Sequence, residues 1–154
     1  MDPQIDPSMD PKTLSGFELL SAAAAGRLPR APIAATMGLL GMVVEKGRVE
    51  MRARADERHL NPLGGVHGGF AATVLDSVTG CAVHTMLEAG IGYGTVDLGV
   101  KMLRPVPLGE ELVAEARVTH LSRSLGVAEG TLRDAAGNLL ASASATCFIR
   151  RPRA

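Results

Sequence analysis

The chain has few cysteines, no excess of either charge and no long apolar run, and each shortage excludes a class of protein. Its 154 residues include two cysteines, Cys81 and Cys147, both in apolar patterns, which favours buried thiols over a disulfide framework. Sixteen basic and sixteen acidic residues cancel, so the composition does not favour nucleic acid or a membrane surface as a partner. The first residues lack a signal-peptide pattern, and no run approaches the ~18 apolar residues of a membrane-spanning helix. We therefore expect a soluble, cytoplasmic protein.

Several catalytic motifs are also missing. His59, His84 and His120 show neither HExxH nor paired-cysteine spacing, so no metal site is expected. The segment GGVHGG lacks the lysine of a P-loop and the GxGxxG spacing of a dinucleotide fold. No GxSxG is present, so the chain lacks the nucleophile elbow of a serine hydrolase. The sequence predicts chemistry without a metal or an organic cofactor.

Length and proline content suggest one domain with short extensions. Residues 1–12 repeat Asp-Pro three times, a pattern that disfavours helix and strand alike and predicts a flexible leader. With 46% hydrophobic residues, the chain can bury one substantial core, predicted over residues 13–150. Residues 151–154 form a basic C-terminal tail.

Hydrophobic periodicity predicts a short helix, two strands, a long helix and four strands, in that order. Ser15 and Glu18 fit a capping box for a helix over residues 16–25, and the prolines that follow break the chain. Strands are predicted over residues 37–45, 48–55, 93–103, 111–121, 125–133 and 139–149. In the third strand, Val96, Leu98, Val100 and Met102 share one face, opposite Thr95, Asp97, Gly99 and Lys101. These elements predict an α+β fold in which a curved antiparallel sheet of about six strands wraps one long helix.

The segment from Asn61 to Asp76, NPLGGVHGGFAATVLD, is the most informative part of the sequence. Its glycines allow a free turn around His67 and close approach of a ligand to peptide N–H groups. A helix starting near Gly68 would present an apolar stripe made of Phe70, Ala71, Val74, Leu75, Val78, Cys81, Ala82 and Met86. Asp76 lies beside this stripe, where a carboxylate loses hydration, and is therefore a candidate for chemistry.

Five ordered motifs resemble those of the hotdog-fold acyl-CoA thioesterases, in particular the PaaI-like (phenylacetate-pathway-type) branch. The resemblance covers most of residues 37–149 and rests on Asn61, His67-Gly68-Gly69, Asp76, GTVD at 94–97 and LRPV at 103–106. It implies a hotdog fold and hydrolysis of an acyl-CoA or aryl-CoA thioester to the free acid and CoA. Some branches have Glu where Asp76 stands, which leaves nucleophilic attack and general-base action both open.

The resemblance also implies individual roles. Asn61 and Gly68 match the residues that polarise the thioester carbonyl, whereas Asp76 and Thr95 match those that activate and place the attacking water. The Gly68 N–H, at the N-terminus of a helix, suits a developing oxyanion. Further substrate contacts are implied for Gly69, for Arg104 at the nucleotide and for Ser124 near the pantetheine arm.

Two alternatives to the thioesterase remain. A hotdog hydratase or dehydratase would use His67 as a base, although we expect this histidine to stabilise the turn by hydrogen bonding. A non-catalytic regulator would keep the fold and bind acyl-CoA without hydrolysing it.

Helix geometry predicts that the active site needs two chains. Gly68 and Asp76 are eight residues apart, about 12 Å along a helix axis at ~1.5 Å per residue. One carbonyl cannot contact both, whereas a reacting centre must lie ~3 Å from the oxyanion donors and from the water-activating group. We therefore expect a homodimer or a dimer of dimers with shared sites.

Overall fold

The structure, a computed structural model, describes residues 5–152. Within these residues, three helices and six strands follow one another, with 3-10 turns at Pro11–Thr13 and Glu57–His59. Their bounds are α1 Gly16–Ala24, α2 Pro32–Thr36, β1 Leu39–Glu45, β2 Arg48–Arg54, α3 Gly68–His84, β3 Gly92–Met102, β4 Glu111–Leu121, β5 Leu125–Arg133 and β6 Leu139–Arg150. Residues 1–4 of the predicted leader and 153–154 of the predicted tail lie outside the described residues.

The six strands form one antiparallel sheet in the order β1-β2-β4-β5-β6-β3. The long helix α3 packs against β2 through β6, so the sheet curves around it and the core lies between the two. The predicted α+β fold, a curved antiparallel sheet wrapped around one long helix, is confirmed. Among the described residues, no helix is both long and apolar enough to cross a membrane.

Two glycines of β5 let α3 lie close to the sheet. A Cβ atom on Gly126 would lie 2.6 Å from Val83 Cγ1, and one on Gly130 would lie 3.1 Å from Thr79 Cγ2. Neither position has room for a larger residue without movement of the helix. This close contact fixes α3, and with it the catalytic candidates that the helix carries.

The N-terminal segment begins as predicted and then differs. The Ser15–Glu18 capping box is present, and the Gly16 N–H donates to the Leu87 carbonyl at 3.0 Å, which anchors α1 to the end of α3. The prediction of a simple chain break before β1 was wrong, because Pro32 opens a short helix, α2. Proline is favoured in the first turn of a helix, where its missing N–H costs nothing. The first strand therefore starts at Leu39 rather than at residue 37.

A bulge in β3 changes which of its residues point towards α3, so the predicted faces of this strand need correction. Thr95 pairs with Cys147 and Asp97 with Thr146, which leaves Val96 as an extra residue that is 65% exposed. The extra residue shifts the alternation by one position, so Thr95 points towards α3 and Val96 points away. The prediction that Val96 shares a face with Leu98, and Thr95 with Asp97, was wrong for this reason.

The apolar stripe of α3 is also shorter than predicted. The helix ends at His84, and Met86, which was expected on the stripe, is 41% exposed beyond it. The other stripe residues are buried, except Cys81, which is half-buried. Both cysteines are free thiols, as predicted.

Candidate active site

Asn61 organises the turn that precedes α3. Its side-chain Oδ1 accepts hydrogen bonds from the N–H groups of Leu63, at 2.9 Å, and Gly65, at 3.2 Å. Its backbone N–H donates to the Gly65 carbonyl at 2.7 Å. The side-chain Nδ2 donates to no acceptor within residues 5–152. The amide is therefore held by its oxygen, with two N–H donors left for a ligand.

A buried histidine anchors this turn to the rest of the fold. His59 Nδ1 accepts from the Asp56 N–H at 2.9 Å, and Nε2 donates to the Thr36 carbonyl at 2.7 Å. The His59 carbonyl accepts from the His67 N–H at 2.8 Å, and the His59 ring lies 4.9 Å from that of Phe70. Because Nδ1 accepts from the Asp56 N–H, it does not donate to Asp56 Oδ1, which lies 3.4 Å away. From the sequence, His59 was considered only as a metal ligand and rejected as one. Its structural role has no signal in the sequence.

His67 caps the N-terminus of α3. Its Nδ1 accepts from the Gly69 N–H at 2.8 Å, which leaves the Gly68 N–H without an acceptor within residues 5–152. Of the two predicted glycine contacts, only Gly68 therefore offers an uncommitted N–H at the positive end of the helix dipole. The Met102 thioether closes over this position, since a Cβ on Gly68 would lie 2.7 Å from Met102 Sδ.

Asp76 and Thr95 meet in the middle of α3. The Thr95 hydroxyl donates to Asp76 Oδ1 at 2.8 Å, and both residues are half-buried. The bulge at Val96 produces this contact by turning Thr95 inward. Asp76 Oδ2 has no hydrogen-bond donor within residues 5–152, so it can accept from a water molecule or a substrate.

The two cysteines lie close to this pair. Thr95 Oγ1 is 3.9 Å from Cys147 Sγ. Burial, reinforced by the Asp76 charge, raises the pKa of Cys81 to about 12. Burial also raises the pKa of the Cys147 thiol. Both thiols therefore stay protonated near neutral pH and are poor nucleophiles.

Gly68 and Asp76 open into different cavities. The Asp76 cavity has a volume of about 680 Å³, and Thr95 also lines it. Its walls are mostly apolar and come from α1, α2, β1 and their neighbours, including Leu19, Ala23, Leu39, Met42, Cys81 and Tyr93. The Gly68 cavity, of about 320 Å³, is also lined by Met102 and Arg104. Among residues 5–152, none lines both cavities.

The remaining predicted substrate contacts lie apart from Asp76. Arg104 is exposed beside the Gly68 cavity. Ser124 is exposed in the turn between β4 and β5, where its carbonyl accepts from the Ile149 N–H at 2.9 Å, and it lines neither cavity. No cluster of three metal-ligating side chains occurs within the described part of the chain.

Tyr93, the one tyrosine of the chain, was missed as a site residue. It lines the Asp76 cavity, and its ring lies 5.1 Å from the His84 ring and against Gly80. Burial raises the pKa of Tyr93, so its hydroxyl remains a neutral donor. The only available signal was its position two residues before Thr95, which gives both residues the same face of a strand.

Comparison with known families decides the class of the protein. The family described as Thioesterase superfamily matches residues 63–141, just over half of the chain. The chain belongs to the thioesterase superfamily. Its matched segment contains His67, Gly68, Asp76, Thr95 and Arg104 and stops before the end of β6.

Relatives of this thioesterase are found among curated proteins and solved structures. Acyl-coenzyme A thioesterase 13 of Mus musculus is 33% identical over 104 residues, covering 67% of this chain and 72% of the mouse protein. A phenylacetic acid degradation-related protein from Ralstonia eutropha JMP134 superposes with a TM-score of 0.76 at 32% identity, covering 84% of this chain and 98% of that one. A Streptococcus mutans UA159 protein solved bound to acetyl-CoA has a TM-score of 0.66 and 27% identity, covering 73% and 90%.

These relatives test two predictions made from the sequence. The resemblance to hotdog acyl-CoA thioesterases of the PaaI-like branch is confirmed. The prediction of an enzyme that hydrolyses thioester bonds is confirmed as well.

Proposed function

We propose that this thioesterase hydrolyses acyl-CoA with Asp76 as the group that activates water and the Gly68 N–H as the oxyanion donor. The observation that carries the proposal is the Thr95–Asp76 hydrogen bond of 2.8 Å at the wall of a large apolar cavity. The acetyl-CoA found on the Streptococcus mutans protein and the name of the mouse relative support CoA thioesters as the substrate class.

In the proposed reaction, Asp76 accepts a proton from water while the water oxygen attacks the thioester carbon. The carbonyl oxygen becomes an oxyanion, which the Gly68 N–H and Asn61 Nδ2 stabilise by hydrogen bonding. The carbon–sulfur bond then breaks, and the CoA thiolate takes the proton from Asp76. Thr95 holds one carboxylate oxygen, which directs the other, Oδ2, to the water.

The proposed site needs two copies of the chain. Gly68 and Asp76 are about 12 Å apart along α3 and line separate cavities, so one carbonyl cannot reach both within a chain. A second α3, supplied by a partner copy, would bring an Asp76 to the Gly68 of the first. Strand β3 lies at the edge of the sheet, where a second copy can add its own strand, and the site is proposed to form in such a homodimer.

The two cavities suggest where the parts of the substrate bind. The acyl group, aliphatic or aryl, is proposed to occupy the Asp76 cavity because its walls are mostly apolar. Arg104, exposed beside the Gly68 cavity, is proposed to contact a CoA phosphate. Ser124 is proposed to lie near the pantetheine arm, and Gly69 is proposed as a further substrate contact.

Substitution of Asp76 by the nearly isosteric Asn tests this mechanism. We expect turnover to fall by at least ~10²-fold with folding preserved, because a positioned base contributes on this scale. Purified protein is incubated with a panel of CoA thioesters, and released CoA is measured with a thiol reagent. Glu88→Gln, which removes an exposed carboxylate beyond the end of α3, is the matched control and should retain full activity.

Normal turnover of Asp76→Asn would remove Asp76 from the mechanism. A single turnover in ¹⁸O-labelled water separates the two roles of the carboxylate. General-base action puts the label only in the released acid. Nucleophilic attack expels CoA and forms an anhydride with Asp76, and attack of labelled water on its Asp76 carbonyl carbon puts the label into the Asp76 side chain.

A further inference from the structure

Tyr93 presents its side-chain hydroxyl to a cavity of mostly apolar walls. Within residues 5–152 its hydroxyl makes no hydrogen bond, and the residue is half-buried in the wall of the Asp76 cavity. A phenolic hydroxyl in such surroundings usually finds a partner. This hydroxyl therefore suits an oxygen of the molecule that fills the cavity.

Other polar side chains around the same cavity are already engaged. The Thr95 hydroxyl donates to Asp76 at 2.8 Å, and the Ser77 hydroxyl donates to the Thr73 carbonyl at 2.9 Å. The Arg30 guanidinium donates to the Leu39 carbonyl of β1. The Cys81 thiol is only a weak donor. Tyr93 is thus the strong neutral donor that remains for the acyl group.

The position of the Tyr93 ring is fixed by its neighbours. A Cβ on Gly80 would lie 3.0 Å from Tyr93 Cε2 and 3.1 Å from its hydroxyl oxygen, so only glycine leaves room for the ring here. The His84 ring packs against it with centroids 5.1 Å apart. A donor held in this way loses little entropy when it binds a ligand.

The distance between Asp76 and the Tyr93 hydroxyl determines which carbon of the acyl group must carry the recognised oxygen. Gly80 is four residues after Asp76, which places the Tyr93 hydroxyl about 6 Å further along α3. An extended chain advances ~1.2 Å per bond, so this distance corresponds to about five bonds. An acyl group with its carbonyl near Asp76 would bring its fourth to sixth carbon to Tyr93.

We propose that Tyr93 is a specificity-determining residue that hydrogen-bonds a hydroxyl or keto oxygen near the fifth carbon of an aliphatic acyl group. This inference rests on the proposed function, because it requires the acyl group to occupy the Asp76 cavity. A site with a buried donor discriminates against an analogue that lacks the matching oxygen, since the donor is then left unpaired.

The test compares hexanoyl-CoA with hexanoyl-CoA bearing a keto or hydroxyl group at carbon 3 or carbon 5. The wild-type protein should favour a carbon-5 oxygen over plain hexanoyl by at least tenfold in kcat/KM, and should favour a carbon-3 oxygen much less. Tyr93→Phe removes only the hydroxyl and keeps the ring packing. It should reduce the carbon-5 preference, measured as the ratio of kcat/KM to that of plain hexanoyl-CoA in the same protein, to near unity.

Binding to Asp76→Asn protein gives a readout that does not depend on turnover. Calorimetry should show tighter binding of the carbon-5 compounds to Asp76→Asn than to the double variant Asp76→Asn/Tyr93→Phe. An unchanged preference in Tyr93→Phe overturns the Tyr93 proposal and leaves the proposed function intact. An equal loss on all substrates overturns it too, since Tyr93 would then act on the reaction. Failure of wild-type and Asp76→Asn protein to hydrolyse or bind any CoA thioester overturns both proposals.

Discussion

The two halves of the proposed site on α3 are held in different ways. At its N-terminus, Gly68 follows a turn fixed by backbone N–H groups that donate to the side chains of Asn61, His59 and His67. In its middle, the Asp76 carboxylate accepts one hydrogen bond within residues 5–152, from Thr95, nineteen residues away on another element. The first half depends on nearby sequence, whereas the second depends on the pairing register of the sheet.

The first prediction asks whether these halves serve one site in two chains. Asn61→Ala damages the turn half and Asp76→Asn the carboxylate half, so each protein alone should be nearly inactive. After the two are unfolded together and refolded, half of the dimers should be mixed, each with one doubly damaged site and one intact site. Activity should recover to about a quarter of wild type for a two-fold dimer.

Recovery depends on the site being shared. A site contained within one chain would give no recovery in the mixture. Mass spectrometry under native conditions must show the mixed dimers, and inactivity in their presence would refute the two-chain mechanism. Refolded wild-type protein is the control for the yield.

The second prediction concerns only the hydrogen bond that positions the Asp76 carboxylate. Thr95→Val keeps the shape of the residue and removes its hydroxyl, which leaves Asp76 without its described donor. A hydrogen bond to a charged group is worth ~1.5–3 kcal/mol, so kcat should fall about tenfold or more while KM changes little. Thr95→Ser retains the hydroxyl and should stay close to wild type. A loss in Thr95→Ser with no loss in Thr95→Val would show that the methyl group, not the hydroxyl, matters.

The same contrast explains what the sequence can and cannot predict about this protein. The central turn, the helix start at Gly68 and the strands β4 and β5 were predicted correctly, because glycine, capping residues and alternation act locally. The bulge at Val96 was not, since an unpaired extra residue depends on the register between β3 and β6 rather than on composition.

The residues of the candidate site show the same contrast between local signals and contacts that form only in the folded sheet. Only the family resemblance associated Thr95 with Asp76, since simple alternation placed Thr95 on the outer face with Asp97. Tyr93 was missed because its relation to Gly80 and His84 exists only after β3 has packed on α3. His59 was missed because its partners, Asp56 and Thr36, include a carbonyl of a helix that the sequence did not predict.

The third prediction concerns His59, which anchors the turn that precedes α3. His59→Ala leaves the Asp56 N–H and the Thr36 carbonyl without their ring partners and removes packing on Phe70. The free energy of unfolding should fall by about 2 kcal/mol, the usual scale for stranded buried polar groups. Urea denaturation measures it, and His120→Ala, at an exposed position on β4, is the control. An unchanged midpoint would mean that other contacts hold the turn.

The smallest effect is expected at the helix cap itself. His67→Ala removes the acceptor for the Gly69 N–H, and loss of an N-cap costs ~1 kcal/mol of stability. Activity should fall only a few-fold and in step with stability, because the Gly68 N–H and Asp76 remain. His67→Asn, whose side chain can still accept at the cap, should restore both. A fully stable but inactive His67→Ala protein would contradict this structural role and favour a hydratase in which His67 is the base.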